Sequence, residues 1–245
     1  MLGAYKLPLT FDTGRMLAEL QKVENEIKWH DHPDYTVATT GDWKAVALLS
    51  AESTDASNPE SLRYHGRGKA MPTEVLKACP YLGEVIDSFK TEVHRARLMN
   101  LRPGTRITEH RDYGAQRYSI ERGFIRVHIP LRTHPDVHWK LRGKTIPMLP
   151  GEAWYLNVCQ PHAVENNSPV MRVHLVLDVK VNDWVLSLFQ NLPVTFGLRS
   201  FVLQNFEPSF LKVRDKLKRA KNRSFEFLGD LGLRRLKRAL LGGGH

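Results

Sequence analysis

The spacing of apolar residues divides the first part of the chain into helical and irregular segments. Residues 12–28 carry apolar side chains three and four positions apart, and Asp12 precedes them as a helix N-cap. A polar stretch over 58–71 contains glycines and predicts a loop. The pattern is helical again over 72–89, with a restart at Pro80, where the proline ring breaks the preceding turn.

From residue 92 the pattern changes to short apolar segments separated by Gly, Pro, Asn and Asp, which is typical of β-strands. Seven segments have this character: 92–102, 106–110, 123–132, 136–141, 144–149, 153–158 and 169–179. Strands this short and regular favour a closed or double-sheet architecture. We therefore expect a mainly β protein with a double-stranded β-helix (jelly roll, cupin-like) core, and with N-terminal helices packed on one sheet.

After about residue 181 the chain becomes helical again and strongly basic. The predicted helices over 209–223 and 230–241 are amphipathic, and the sequence ends in a glycine-rich segment. The formal net charge is +10, and twelve Lys/Arg against four Asp/Glu lie from Arg199 onward, so most of the excess belongs to this tail. We expect one domain over 1–185, with its core at about 92–180, and a basic helical extension over 186–245.

The composition excludes several classes of protein. Apolar residues make up 42% and charged residues 25% of the 245 positions, as in ordinary globular proteins. No apolar run has the length of a transmembrane segment, and the first residues lack the pattern of a signal peptide. With only two cysteines, Cys79 and Cys159, free thiols are favoured over one disulfide. These features favour a cytoplasmic protein.

Three residues have the spacing of a metal site. His110 and Asp112 are two positions apart, so on an extended strand their side chains point to the same side, and His162 follows at a distance. Two histidines and one carboxylate are the ligand set that holds non-haem Fe(II) on one face and leaves other coordination positions open. Arg172, ten residues after His162, suits an anionic co-substrate.

An Arg-Val-His triplet occurs in two predicted strands, at 126–128 and at 172–174. In each triplet the arginine and the histidine share one face, and the valine takes the other. Four such groups on an inner face are costly to bury unless an anion or a metal compensates them. A dicarboxylate such as 2-oxoglutarate would do so, since arginine binds carboxylates bidentately. The alternative is that these side chains face solvent on a half-exposed sheet.

Around these residues the chain resembles the aspartyl/asparaginyl β-hydroxylase family of Fe(II)/2-oxoglutarate oxygenases. It is especially similar to the small bacterial members that hydroxylate free amino acids, such as the proline hydroxylases. The resemblance covers about residues 70–182, and its matching stretches are 101–104, 110–112, 123–131, 151–156, 161–164 and 171–178.

The resemblance implies a double-stranded β-helix with iron bound by His110, Asp112 and His162. It also implies that Arg172 binds the distal carboxylate of 2-oxoglutarate, with Arg126 and His128 lining the same pocket. Because Asp112 occupies the acidic ligand position, hydroxylation is favoured over halogenation, which usually needs that position vacant. The implied reaction uses O₂, hydroxylates an unactivated C–H bond of an amino acid that is free, carrier-tethered or peptidyl, and releases succinate and CO₂.

A different function remains open from the sequence. The chain could be a non-catalytic metal- or ligand-binding β-barrel whose basic tail docks an anionic partner. An acidic carrier protein, or a second copy of the chain bound through the C-terminal helices, would suit that tail. Nucleic acid is disfavoured, because the tail has few aromatic residues interleaved with its basic ones.

Overall fold

The computed structural model describes residues 3–32, 39–63, 69–112, 120 and 123–189. The described residues contain two antiparallel β-sheets and four α-helices. The helices predicted over 209–223 and 230–241 lie outside the described residues, and so does nearly all of the proposed C-terminal extension. The domain boundary at 185/186 therefore stays a prediction.

The strands are β1 (Ala4–Thr10), β2 (His30–Asp31), β3 (Thr39–Thr40), β4 (Trp43–Ser50), β5 (Met71–Pro72), β6 (Val93–Leu101), β7 (Arg106–His110), β8 (Phe124–Arg132), β9 (Val137–Leu141), β10 (Lys144–Thr145), β11 (Glu152–Leu156), β12 (His162–Asn166) and β13 (Arg172–Lys180). The helices are α1 (Thr13–Glu26), α2 (Glu74–Lys77), α3 (Pro80–Asp87) and α4 (Asp183–Ser187), and a 3₁₀ helix covers Pro59–Leu62.

The larger sheet has the strand order β1-β11-β8-β13-β6-β4-β2, with β5 paired to β4, and the smaller sheet has the order β10-β9-β12-β7-β3. Every strand pair is antiparallel. The two sheets form the double-stranded β-helix that the sequence pattern predicts, so the predicted fold class is confirmed. The long pairings of β13 with β8 and β6 place Arg172 and the residues after it at the centre of the larger sheet.

Strand β13 is buried on both faces, and the two faces differ in chemistry. Its residues are buried on both faces from Arg172 to Val179. The odd-numbered residues, such as Leu175, join the large apolar cluster that includes side chains of helices α1 and α3. The even-numbered residues are Arg172, His174, Val176 and Asp178, and all but Val176 are polar. A second, smaller apolar cluster combines residues of both sheets. The polar face of β13 is therefore the inner face of the barrel, as the Arg-Val-His pattern predicts.

The helices predicted over 12–28 and 72–89 agree closely with the structure. Asp12 caps helix α1, because its Oδ1 accepts a hydrogen bond from Arg15 N at 3.0 Å. The second helical region breaks at Pro80, as expected, into α2 and α3. Among the residues with described structure, no helix combines the length and the apolar character that a membrane span requires.

Several strands were not predicted. Strand β4 is a nearly continuous apolar run without period-two alternation, and β1 is an edge strand that contains Pro8. The predicted strand 144–149 shortens to Lys144–Thr145, because Pro147 cannot donate a backbone hydrogen bond to a ladder. Strand β12, which begins at His162, is also absent from the predicted strands.

The turn between β12 and β13 is held by a buried amide. Asn166 Nδ2 donates to the carbonyl oxygens of Leu101 and Val170, each at 2.8 Å, and its Oδ1 accepts from Ser168 N and Oγ at 3.1 and 2.6 Å. The turn therefore fixes the end of the strand that carries His162 to the end of β6, where Leu101 lies opposite Arg172.

We expect Asn166→Ala to lower the free energy of unfolding by about 2–3 kcal/mol, because it leaves buried polar groups without partners. Urea denaturation measures this loss. The matched control is Asn167→Ala at the neighbouring, exposed position, where the expected change is within about 0.5 kcal/mol. Equal losses in the two variants would contradict the role given to Asn166.

Candidate metal centre

Strand pairing brings the three predicted metal ligands together. His110 is the last residue of β7, and it lies directly opposite His162, the first residue of β12. Asp112 follows two residues after His110, and its backbone N–H donates to the carbonyl oxygen of Val158 at 3.1 Å. One potential ligand atom from each of the three side chains lies within 4.8 Å of the others. The predicted ligand set therefore forms one compact cluster.

Each histidine is oriented by a backbone carbonyl two residues before it. His110 Nδ1 lies 2.7 Å from Thr108 O, and His162 Nδ1 lies 3.0 Å from Gln160 O. A carbonyl oxygen only accepts, so Nδ1 carries the hydrogen in both rings, and Nε2 of the neutral ring keeps its lone pair. Such contacts to Nδ1 are the usual way in which proteins orient metal-binding histidines.

The two Nε2 atoms converge on one oxygen of Asp112. Asp112 Oδ1 lies 3.5 Å from His110 Nε2 and 3.6 Å from His162 Nε2. Burial alone would raise the pKa of Asp112, but the neighbouring side chain of His110 and the charge of Arg126 outweigh it and hold that pKa well below its usual range. Burial lowers the pKa of His162. The cluster therefore presents two imidazoles and one carboxylate, and this donor set suits Fe(II).

Trp139, which the sequence did not single out, connects the cluster to the Arg-Val-His residues. Its ring is stacked on His162, with centroids 5.3 Å apart and planes 9° from parallel. The same ring lies edge-on to His128, at 5.8 Å between centroids. His128 is therefore a close neighbour of the cluster, on the inner face of the larger sheet.

Arg126, on β8, is bound by two carboxylates of the protein. Its Nη1 donates to Asp112 Oδ2 at 2.6 Å, and its Nε donates to Asp178 Oδ1 at 2.7 Å. The expectation that an anion compensates this arginine is therefore met in part from within the chain. That Arg126 also contacts 2-oxoglutarate stays a prediction.

The environment of Arg172 differs from that of Arg126. Its side chain is only 3% exposed, its Nε has no hydrogen-bond partner, and no carboxylate of the described residues forms an ion pair with it. Burial lowers the pKa of the guanidinium from 12.5 to about 9, so it still carries its charge at neutral pH. A buried cation without an anion is costly, so the binding of a carboxylate by Arg172 stays a prediction.

Two neutral histidines lie beside Arg172. The Nδ1 atoms of His128 and His174 are 3.4 Å apart, so one ring can donate to the other. Burial, reinforced by the charge of Arg172, lowers the pKa of both rings well below its ordinary value. His128 Nε2 is buried without a hydrogen-bond partner. Together with Arg172 it provides polar atoms for an anionic ligand.

Sequence reasoning found the ligand triad and the Arg-Val-His residues, but not the charges between them. Asp178, which lies opposite Arg126, and Arg95, which lies opposite Asp178, were not singled out. Their signal was weak, because one aspartate and one arginine at alternate positions of apolar strands look like isolated polar residues. Residues 64–68 of the loop predicted over 58–71 lie outside the described residues, as do residues 113–119, 121 and 122.

The chain is similar to two curated proline hydroxylases. L-proline cis-4-hydroxylase of Rhizobium meliloti (strain 1021) is 25% identical over 189 residues, which is 76% of this chain and 64% of that protein. L-proline cis-3-hydroxylase 2 of a Streptomyces species is 29% identical over 147 residues, 59% of this chain and 49% of that protein. The matches thus span between half and two thirds of the length of these curated relatives.

A solved structure of a prolyl-4-hydroxylase from Pseudomonas putida aligns with 12% identity and a TM-score of 0.46, over 74% of this chain and 93% of that chain. The family model for aspartyl/asparaginyl β-hydroxylases matches residues 11–181, a range that contains the whole candidate metal centre. On the strength of that match, the chain belongs to the aspartyl/asparaginyl β-hydroxylase family.

Proposed function

We propose that this protein is an Fe(II)- and 2-oxoglutarate-dependent dioxygenase that hydroxylates an unactivated C–H bond of an amino acid. The proposal rests on two observations: the cluster of His110, Asp112 and His162, and a buried arginine, Arg172, that has no acidic partner among the described residues. The substrate class is supported by the two proline hydroxylases among the relatives. Whether the amino acid is free, carrier-tethered or peptidyl stays open within the proposal.

The residues of the site suit both Fe(II) and 2-oxoglutarate. His110 Nε2, His162 Nε2 and Asp112 Oδ1 would hold Fe(II), because their lone pairs converge and carbonyl contacts fix both rings. Arg172 would bind one carboxylate of 2-oxoglutarate bidentately, and His128 Nε2 would add a hydrogen bond. When bound, the iron and 2-oxoglutarate supply the oxidation of the C–H bond by O₂, with release of succinate and CO₂.

The protein's own contribution is orientation and the exclusion of water. Trp139 restrains the ring of His162 on one side and is itself only 3% exposed. Trp139 belongs to the smaller apolar cluster, together with Leu101 and Leu156. An oxidising centre needs such a dry, fixed environment, because it must react with one bound C–H bond and not with the protein.

The alternative is a non-catalytic β-barrel whose basic tail docks an anionic partner. Residues 190–245 lie outside the described chain, and nothing in the described part favours that reading over catalysis. Docking of an acidic carrier protein, or of a second copy of the chain, by this tail stays a prediction.

The direct test of the proposal is an anaerobic titration of the metal-free protein with Fe(II) and 2-oxoglutarate. We expect a weak visible charge-transfer band, followed by succinate release when O₂ and a suitable amino acid are added. Free amino acids are the first substrates to be screened for succinate release. A band without turnover on any of them would favour a tethered or peptidyl substrate, and no band at all would favour the non-catalytic alternative.

Replacing His162 with alanine should abolish both metal retention and succinate formation, because it removes one of three protein ligands. Metal content after dialysis and succinate yield measure the two effects. His138→Ala is the control, since His138 lies on the paired strand β9, opposite Glu165 and outside the cluster. Coupled turnover retained in His162→Ala would contradict the metal assignment.

Arg172→Met should separate co-substrate binding from folding. Removal of the guanidinium should raise the KM for 2-oxoglutarate about 10-fold or more, which corresponds to a loss of roughly 1.4 kcal/mol or more. The unliganded variant should be at least as stable as the wild type, because a buried cation without an anion has been removed. Steady-state kinetics and urea denaturation measure the two quantities, and Fe(II) affinity should change little.

The control for Arg172→Met is Arg132→Met on β8, which removes an arginine paired bidentately with Glu24. We expect that variant to lose some stability and to keep its KM for 2-oxoglutarate. An unchanged KM in Arg172→Met would remove Arg172 from the co-substrate site.

A further inference from the structure

Asp178 lies among arginines between the two sheets, and the ligand sites proposed above do not use it. Its side chain is 1% exposed. It lies directly opposite Arg95 on β6 and directly opposite Arg126 on β8, so both neighbouring strands direct an arginine toward it. Arg95 donates from Nε at 2.8 Å and also pairs through Nη2 at 2.6 Å. Nη2 of a third arginine, Arg97, lies 3.9 Å away.

The carboxylate is ionised in this environment. Burial alone would raise the pKa of Asp178, but the charges of Arg126, Arg95 and Arg97 outweigh burial and hold that pKa well below its usual range. A single buried carboxylate thus fixes the guanidinium groups of two neighbouring strands in place.

Arg126 links this carboxylate to the candidate metal centre. Its Nε and Nη2 bind the two oxygens of Asp178 at 2.7 and 3.2 Å, which fixes the plane of the guanidinium. The remaining nitrogen, Nη1, then donates to Asp112 Oδ2 at 2.6 Å. One arginine therefore connects a structural carboxylate to a ligand carboxylate.

Because of this link, the two oxygens of Asp112 have different partners. Oδ2 is engaged by Arg126, whereas Oδ1 faces the Nε2 atoms of His110 and His162. A carboxylate that rotated freely could offer either oxygen or both to a metal. The guanidinium selects one orientation, and Asp178 fixes the guanidinium.

We propose that Asp178 is a positioning residue for the metal centre, which acts through Arg126 to hold Asp112 with only Oδ1 presented to the metal. The inference rests on the proposed function, because it requires that the three ligands bind a metal. It goes further in assigning a role to a residue that contacts neither the metal nor a substrate.

A purely structural role for Asp178 would give a different pattern of effects. In that case the carboxylate only joins β6, β8 and β13, and its loss lowers stability without changing how a metal is bound. Metal affinity and the spectrum of the bound metal separate the two roles, since outer contacts of this kind typically change metal affinity about 10- to 100-fold.

The experiment is an anaerobic calorimetric titration of the metal-free protein with Co(II), combined with the visible absorption spectrum of the Co(II) complex. The variants are Asp178→Asn, Arg126→Met and the double variant. The control is Glu152→Gln, which alters another buried carboxylate with an ion pair, to Lys6, and with hydrogen bonds from Leu149 N and Trp154 Nε1. Glu152 lies on β11 and has no link to Asp112.

Both single variants should bind Co(II) about 10- to 100-fold more weakly and change its absorption bands, because Asp112 is no longer held in one orientation. The double variant should be no weaker than Arg126→Met alone, since the two residues act along one path. Glu152→Gln should keep the wild-type affinity and spectrum, even where urea denaturation shows a loss of stability.

Wild-type affinity and spectrum in a folded Asp178→Asn would overturn the inference. If that variant does not fold, Arg126→Met decides, because it keeps the pair between Asp178 and Arg95; wild-type affinity there would equally overturn it. If the wild type itself binds no Co(II), the proposed function fails and this inference with it. The two failures are distinguishable. In one the wild type binds no Co(II), and in the other it binds Co(II) and the substitutions leave that binding unchanged.

Discussion

Charge buried between the two sheets is the constraint on which the rest of this structure depends. An arginine or aspartate in that space is costly unless an opposite charge lies beside it. Arg95 and Arg126 are compensated by Asp178, and Arg126 also by Asp112. Arg172 has no acid beside it among the described residues, so an anion from outside the chain best explains its burial. The uncompensated cation is the reason why we propose that a carboxylate ligand binds at Arg172.

The pairing of the antiparallel strands places the charged residues and the histidines at defined positions. The register of β7 and β12 places the two histidines opposite each other, and the register of β13 with β6 and β8 places Asp178 between two arginines. A slip of one residue in β13 would exchange its polar and apolar faces, because side chains alternate along a strand. The apolar packing against the helices therefore also sets the positions of Arg172 and Asp178. Fold stability and site geometry depend on the same strand register.

The sequence predicted the parts of this protein that local patterns encode. Helix α1 with its Asp12 cap, the break at Pro80, and strands β6 to β9 follow from periodicity and turn residues. The triad followed from residue type and spacing, since few other functions need that set. Strand β4 was missed because burial on both faces removes the alternation that marks a strand. The role of Asp178 depends on pairing between strands that are distant in sequence, which no local pattern contains.

The central claim is that one metal binds to His110, Asp112 and His162 while a 2-oxoglutarate carboxylate binds to Arg172. An anaerobic crystal structure of the protein with Fe(II) and 2-oxoglutarate tests it most directly. The account predicts metal density joined to both Nε2 atoms and to Asp112 Oδ1, with Asp112 Oδ2 still bonded to Arg126 and a carboxylate of the co-substrate on Arg172. Metal bound elsewhere, or 2-oxoglutarate bound away from Arg172, would contradict it.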